Sequence, residues 1–204
     1  MTAARRSADH TRNLLLDAAF DELYRQGYRA MRLDVLLDRL GLTKGALYHH
    51  FRSKADLGHA VIEERLRPWI EATWRPVLGA PDVVGAAIEL CRQLTAERCE
   101  QVAGSGCPLT SLLHELRDEP PAFLERLQAV IDDWYRGIVT GLRQGQSAGT
   151  VRRDVDPEDA AAFILSAIEG SGGLAGNVRG ADFLQAAMRG LIDYLQSLKP
   201  QRSS

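Results

Sequence analysis

Residues 33–52 read LDVLLDRLGLTKGALYHHFR. Leu36 and Leu40 stand four apart and give a short helix one apolar face. Gly41 permits a left-handed turn, Leu42 plugs the corner, and Leu47 points inward from the helix that follows. That is the spacing of a helix-turn-helix, whose second helix enters the DNA major groove. An ordinary corner in a helical bundle has the same spacing, so spacing alone leaves both readings standing. Thr43 is placed to cap the second helix, which puts Lys44, Gly45 and Ala46 in its first turn, where free N–H groups suit a phosphate. Gly45 and Ala46 are poor choices for a solvated helix start, but they fit where a side chain would block approach to a DNA backbone or a thymine methyl.

The exact residues separate the two readings. GLTKGALYHHFRSKADL, Gly41 to Leu57, closely resembles the signature of the TetR family, G-[VL]-[ST]-x-G-x-[LIF]-Y-x-[HY]-F-x-[ST]-K-x-x-L. Gly41, Thr43, Gly45, Leu47, Tyr48, His50, Phe51, Ser53, Lys54 and Leu57 match. Upstream, Ala18-Ala19-Phe20 and the Gly27-Tyr28 turn match as well. The resemblance is specific over residues 11–60 and architectural beyond them. It implies contacts to the DNA backbone from Thr43, Tyr48 and Lys54, and to bases or backbone from Lys44, Gly45, Ala46 and His49. Tyr48 can give its hydroxyl to a phosphate while its ring packs on the helix; the alternative is a Tyr buried in the core. Lys54 opposes the dipole of the helix it begins, which favours an external anion. His49 and His50 point apart, His49 toward the groove and His50 inward beside Phe51, so the pair is not read as a metal site. Two positions depart from the family. Met31 and Arg32 replace its usual hydroxyl residues at the start of the second helix, so the cap is lost, and Arg32 is expected to reach a phosphate instead. Leu37 stands where the family favours a small side chain.

Apolar residues recur at three- and four-residue steps nearly throughout, without sustained alternation, so the fold class is all-α with about nine helices. The first carries Leu14, Leu15, Ala18, Ala19 and Leu23 on one stripe and stops at Gly27; Ser53 caps another, with Asp56 three residues on. Breaks are expected at Pro68, at Pro76, at Gly145 to Thr150 and across the glycine-rich run from Gly170 to 176. Asp156-Pro157 starts a helix. The domains expected are a DNA-binding domain over 1–56 and a ligand-binding and dimerisation domain over 57–204.

For the second part the resemblance implies a homodimer formed through the last two helices. Ala161, Ile164, Leu165 and Ile168, then Phe183, Ala187, Leu191 and Leu195, supply apolar faces; periodicity leaves open whether they complete the monomer core. Candidate effector-pocket residues are Trp69, Trp74, His114, Trp134, Tyr135 and Phe163. The stretch Gly104 to Leu116 resembles the G-C-x-[LV]-x-x-[LA] segment of a TetR branch that includes the repressor of N-ethylmaleimide reductase. Cys107 would begin a helix whose dipole lowers its thiol pKa, suggesting an electrophile or oxidant sensor; a small buried hydrophobe is the other reading. Cys91 and Cys99, mid-helix, read as core.

Charge is unevenly shared. Residues 1–56 hold ten Lys and Arg against seven Asp and Glu, a net +3, while the other 148 residues carry fifteen against twenty, a net −5. A basic head on an acidic body suits a chain that meets phosphate at one end. No apolar stretch approaches the roughly 20 residues of a membrane span, and MTAARRSADH lacks the apolar core of a secretory signal, so a cytoplasmic location is expected. Three cysteines eight apart, without C-x-x-C, argue against a disulfide framework or a structural zinc site. No nucleophile triad, carboxylate pair or phosphate loop points to an enzyme; Glu89, Glu97, His114 and Glu115 read as solvated faces. No cofactor is implied. The expectation is a sequence-specific DNA-binding regulator of transcription, a repressor released from double-stranded operator DNA by a lipophilic or electrophilic small molecule.

Overall fold

The computed structural model describes residues 3–118, 121–176 and 180–200, and every regular element among them is helical. In chain order these are α1 (Ala3–Ala30), α2 (Leu33–Leu40), α3 (Lys44–His50), α4 (Lys54–Val61), a π turn (Ile62–Leu66), α5 (Arg67–Leu78), α6 (Val83–Ser105), α7 (Pro108–Glu115), a 3-10 turn (Leu116–Asp118), α8 (Pro121–Ala148), α9 (Pro157–Leu174) and α10 (Gly180–Ser197). No helix among the described residues is long and apolar enough to cross a membrane.

Two compact units form. The first comprises Met1–Ile70 with Ser111–Gln128. Its core gathers Leu15, Leu16, Ala19 and Leu23 of α1, Leu36 and Leu37 of α2, Leu47 of α3, and Leu57 and Val61 of α4. Leu14, expected on the inner stripe of α1, is exposed; Leu16 is buried in its stead. At Gly27 the backbone leaves the helix (φ 85°, ψ 173°), as the glycine signal indicates. Gly41 ends α2 in the left-handed region (φ 64°), its N–H donating to Asp38 O and that of Leu42 to Leu37 O. A Cβ there would meet nothing within 4 Å, so the dihedral and not space demands glycine. Arg39 and Arg65 of this unit pair with Glu22 at 2.5 Å and Asp17 at 2.6 Å. Exposed pairs of this kind contribute about 0–1 kcal/mol, so the leucine core decides the arrangement.

The second unit comprises Glu71–Thr110 with Ala129–Ser204. Here α10 packs on α6 and α9, burying Leu184, Met188, Leu191 and Leu195. Cys91 and Cys99 are buried core residues, as their mid-helix positions suggest. Asp156 caps α9 by accepting from the N–H groups of Glu158 and Asp159, with Pro157 in the first turn.

At four expected breaks the helix continues. Pro68 falls in the first turn of α5, just after the π turn, where no N–H is required of it; Pro76 sits within α5, which ends two residues later. Gly145 lies inside α8, which runs to Ala148; Val151 folds back to within 2.6 Å of where its Cβ would stand, so the glycine serves packing. The run beginning at Gly170 stays helical through Leu174. Each helical glycine costs about 1 kcal/mol against alanine, and α9 offsets this by burying Ile164, Ser171 and Gly172.

Leu36→Ala should lower stability by about 2–5 kcal/mol in urea unfolding, whereas Val35→Ala, on the exposed face of the same helix, should change it by less than about 0.5 kcal/mol. Equal effects would mean that α2 presents a different face to the core.

Candidate functional site

Thr43 caps α3, its hydroxyl oxygen accepting from Ala46 N–H at 3.2 Å. Leu47 is 1% exposed and Phe51 closes the helix inside the core, so one side of α3 is anchored. The other side is open. At about 100° per residue, Lys44, Gly45, Tyr48 and His49 share an arc of about 140°, and all four are exposed. Tyr48 is 53% exposed, which excludes a core Tyr. Among the described residues Lys44 has no ion pair and the Tyr48 hydroxyl no hydrogen bond. His49 lies outward and His50 half-buried, edge-on to His49 at 4.9 Å and 6.4 Å from the Phe51 ring. Burial, with His49 and Arg12 nearby, pushes the His50 pKa down. Ala46 is half-buried. A Cβ at Gly45 would meet only Thr43 Oγ1, at 3.6 Å, so nothing inside the fold calls for glycine at this exposed position.

Two basic residues behave otherwise than expected. Arg32 is exposed but engaged, its guanidinium 2.6 Å from the Asp34 carboxylate, whose pKa it lowers. As anticipated, no side chain caps α2, and Met31 is instead buried in the core. Lys54 donates to Arg29 O at 3.1 Å and lies 4.7 Å over the Tyr28 ring. Its unfavourable place at a helix start is therefore met by partners within the fold. The capping box is also altered: Ser53 accepts from Asp56 N–H, but Asp56 accepts from Arg52 N–H. Arg52 itself, not singled out in the sequence, is exposed at the end of this segment.

Glu115 is not a solvated residue. Its carboxylate accepts from the N–H of Tyr28 at 2.7 Å and of Arg29 at 2.5 Å, holding the chain where α1 breaks. No local pattern announces a bond across 87 residues.

The candidate pocket residues are divided between the two units. Trp69, half-buried and edge-on to Tyr24, and His114, exposed, belong to the first unit. In the second, Trp74 and Trp134 are buried with ring centroids 4.8 Å apart, and the Tyr135 hydroxyl donates to Glu158 O at 3.3 Å. Phe163 is 50% exposed and packs against Tyr194 of α10, ring centroids 4.4 Å apart.

Cys107 follows a glycine in the left-handed region (Gly106, φ 70°) and its Sγ donates to Glu169 Oε1 at 3.2 Å. The Thr110 hydroxyl donates to the other oxygen. The Leu109 and Thr110 N–H groups pull the thiol pKa down, as a helix start should. Burial and the adjacent carboxylate outweigh them and push it well up, reversing the expected activated thiolate. Burial raises the Glu169 carboxyl too, against its two hydrogen bonds.

Comparison with known proteins adds a second line of evidence. Residues 15–61 match the family model for bacterial regulatory proteins of the tetR family, and residues 87–191 the model for the tetracyclin repressor-like C-terminal domain. The transcriptional regulator AcuR of Cereibacter sphaeroides is 28% identical over 163 residues, 77% of this chain and 72% of that protein. A crystal structure of the regulatory protein TetR from Rhodobacter sphaeroides superposes with a TM-score of 0.77 at 25% identity, covering 89% of this chain and 97% of that one. The reduced form of E. coli NemR superposes at 0.78 over 95% and 100% of the two chains; at 20% identity it speaks for the fold alone.

Glu169→Gln should lower the pH at which Cys107 becomes reactive, because it removes the negative charge that raises the thiol. Iodoacetamide labelling of Cys107 against pH, read by peptide mass, measures this. An unshifted profile would mean that Glu169 does not govern the thiol.

Proposed function

Because the chain belongs to the TetR family of bacterial regulatory proteins, we propose that it is a repressor that binds operator DNA as a homodimer and leaves it when a small molecule binds. Members of this family are transcription regulators, not enzymes; they bind operator DNA and act as dimers. Residues 1–56 serve as the DNA-binding domain and 57–204 as the effector and dimerisation domain, acting in the cytoplasm where the DNA is.

The observation that carries this reading is the open face of α3. Lys44 and Tyr48 present polar groups without partners among the described residues, and Gly45 is a glycine for which the fold has no internal use. A surface built to be approached closely by a polyanion accounts for all three. In this role Tyr48 donates its hydroxyl to a phosphate, Lys44 contacts phosphate or a base, and His49 reads base edges. The Thr43 oxygen caps the helix while its proton remains available to a phosphate. Gly45 and Ala46 admit the backbone. Lys54, held over Tyr28, acts by orienting the segment and adding charge, and Arg32 can exchange Asp34 for a phosphate.

Two recognition helices must lie about one DNA turn apart to read a two-fold operator, which requires a second copy. The exposed Phe163, packed on the half-buried Tyr194, and the exposed Leu174 give α9 and α10 apolar surface for it. For the effector, the raised thiol of Cys107 favours a lipophilic, non-covalent ligand over an electrophile.

Gly45→Leu should abolish binding to the DNA upstream of the protein's own gene in fluorescence anisotropy while leaving thermal unfolding unchanged. Lys44→Ala should weaken binding to all sequences and reduce the salt slope by about 0.9. Tyr48→Phe should likewise weaken all sequences, and His49→Ala should relax sequence choice. Unchanged affinity in all four variants would show that α3 is not the recognition helix.

A further inference from the structure

The chain at residues 27–29, where α1 breaks, is held from several sides by residues far away in the sequence. From α7, the Glu115 carboxylate takes one main-chain N–H on each oxygen: Oε1 accepts from Arg29 at 2.5 Å and Oε2 from Tyr28 at 2.7 Å. A Cβ on residue 27 would stand 2.5 Å from Oε2, so the carboxylate has room here because that residue is glycine. The φ of 85° at Gly27 makes the same demand. From α4 and α8, the Tyr28 ring is confined by Gly58, whose Cβ would lie 2.8 Å from it, and by Phe123, ring centroids 5.0 Å apart. Glu115 and Phe123 both belong to the segment Ser111–Gln128, which folds with Met1–Ile70.

The held segment in turn holds a cation. Lys54 Nζ donates to Arg29 O at 3.1 Å and lies 4.7 Å over the Tyr28 ring. Both of these contacts are to the residues that Glu115 fixes. Arg29 is gripped at each end of its main chain, its N–H by Glu115 and its carbonyl by Lys54. An ammonium acts on phosphate as a point charge on a flexible four-carbon stem, so its worth depends on where it is held. A stem released from this seat regains rotamer freedom, and ordering it again on binding costs part of the interaction.

We propose that Glu115 is a positioning residue for operator binding: by fixing the main chain at Tyr28 and Arg29 it sets the Lys54 ammonium where the DNA backbone passes. The inference rests on the reading of the chain as a DNA-binding regulator, to which it adds a residue outside 1–56, the stretch that carries the recognition helix. The sign of the effect is distinctive. Through its charge alone a carboxylate opposes a polyanion, so its removal should tighten DNA binding. A carboxylate that seats a cation does the reverse, and its removal weakens binding. Glu115→Gln separates the two, because the amide loses the charge and keeps only one acceptor oxygen for the two N–H groups.

The test selects an operator from random-sequence duplex DNA with the full-length chain. Its affinity is then measured by fluorescence anisotropy for Glu115→Gln, Lys54→Met and Lys44→Ala, singly and in pairs. Glu115→Gln and Lys54→Met should each weaken binding about fivefold, the worth of one hydrogen bond. Together they should weaken it no further than the larger single effect, whereas either combined with Lys44→Ala should multiply. A merely structural loss at Glu115 would multiply with both lysines. Unchanged or tighter binding in Glu115→Gln, unchanged binding in Lys54→Met, or multiplication of those two effects overturns the proposal. Hydrogen exchange by NMR in the unaltered chain on its operator needs no variant. The Tyr28 and Arg29 amides should exchange as slowly as those of Leu15 and Leu16 in the core of α1, and fast exchange there overturns the proposal even if Glu115→Gln fails to fold. A chain that enriches no DNA sequence defeats the regulator and this inference with it, while DNA binding with multiplying effects defeats this inference alone.

Discussion

The burial of Leu47 is the constraint from which the first unit's outer surface follows. A seven-residue helix is far too short to be stable alone, and α3 exists because Leu47 and Phe51 are held in a core built from α1, α2 and α4. Once those two side chains are fixed, the helical period decides where every other residue of the segment points. Tyr48 and His49 are turned out by the same geometry that turns Leu47 in. Gly41 and Leu42 set the angle of entry, since the left-handed turn at Gly41 lets two N–H groups close on the end of α2. The polar face is thus a by-product of apolar packing, and its accuracy is inherited from the core.

Much of this was legible in the sequence because it is local. Helix period, the Thr43, Ser53 and Asp156 caps, the glycine turns at 27 and 41, and the outward His49 beside an inward His50 each depend on residues within a few positions of one another. Pro68 and the glycine run from Gly170 misled for the opposite reason. Local propensity disfavours helix there, by about 1 kcal/mol for a glycine and about 3 kcal/mol for an interior proline, but a buried helical face in one case and the π turn in the other override it.

The site was legible only in part, and the misses fall on charged and aromatic groups with distant partners. Glu115 and Glu169 look like ordinary surface acids, and each proves to be an acceptor for groups far away in the chain. Glu169 changes the chemistry of its neighbourhood, since a helix start that should activate Cys107 is overruled by a carboxylate 62 residues further on. Phe163 and His114 are exposed whereas Trp74 and Trp134 are buried, a difference that residue type does not encode. Lys54 shows the same effect in a cation, because its partner, Arg29 O, is a main-chain atom that no residue pattern encodes.

The grip of Glu115 on residues 28 and 29 has an evolutionary corollary. It takes hold of two backbone N–H groups, which every residue except proline supplies, and of the space that Gly27 leaves open. At position 29 this bond is withdrawn by proline alone, while the acid at 115 and the glycine at 27 must persist together. The joint is thus lopsided: on one side it asks only for main-chain chemistry, on the other for the identity of a single acid.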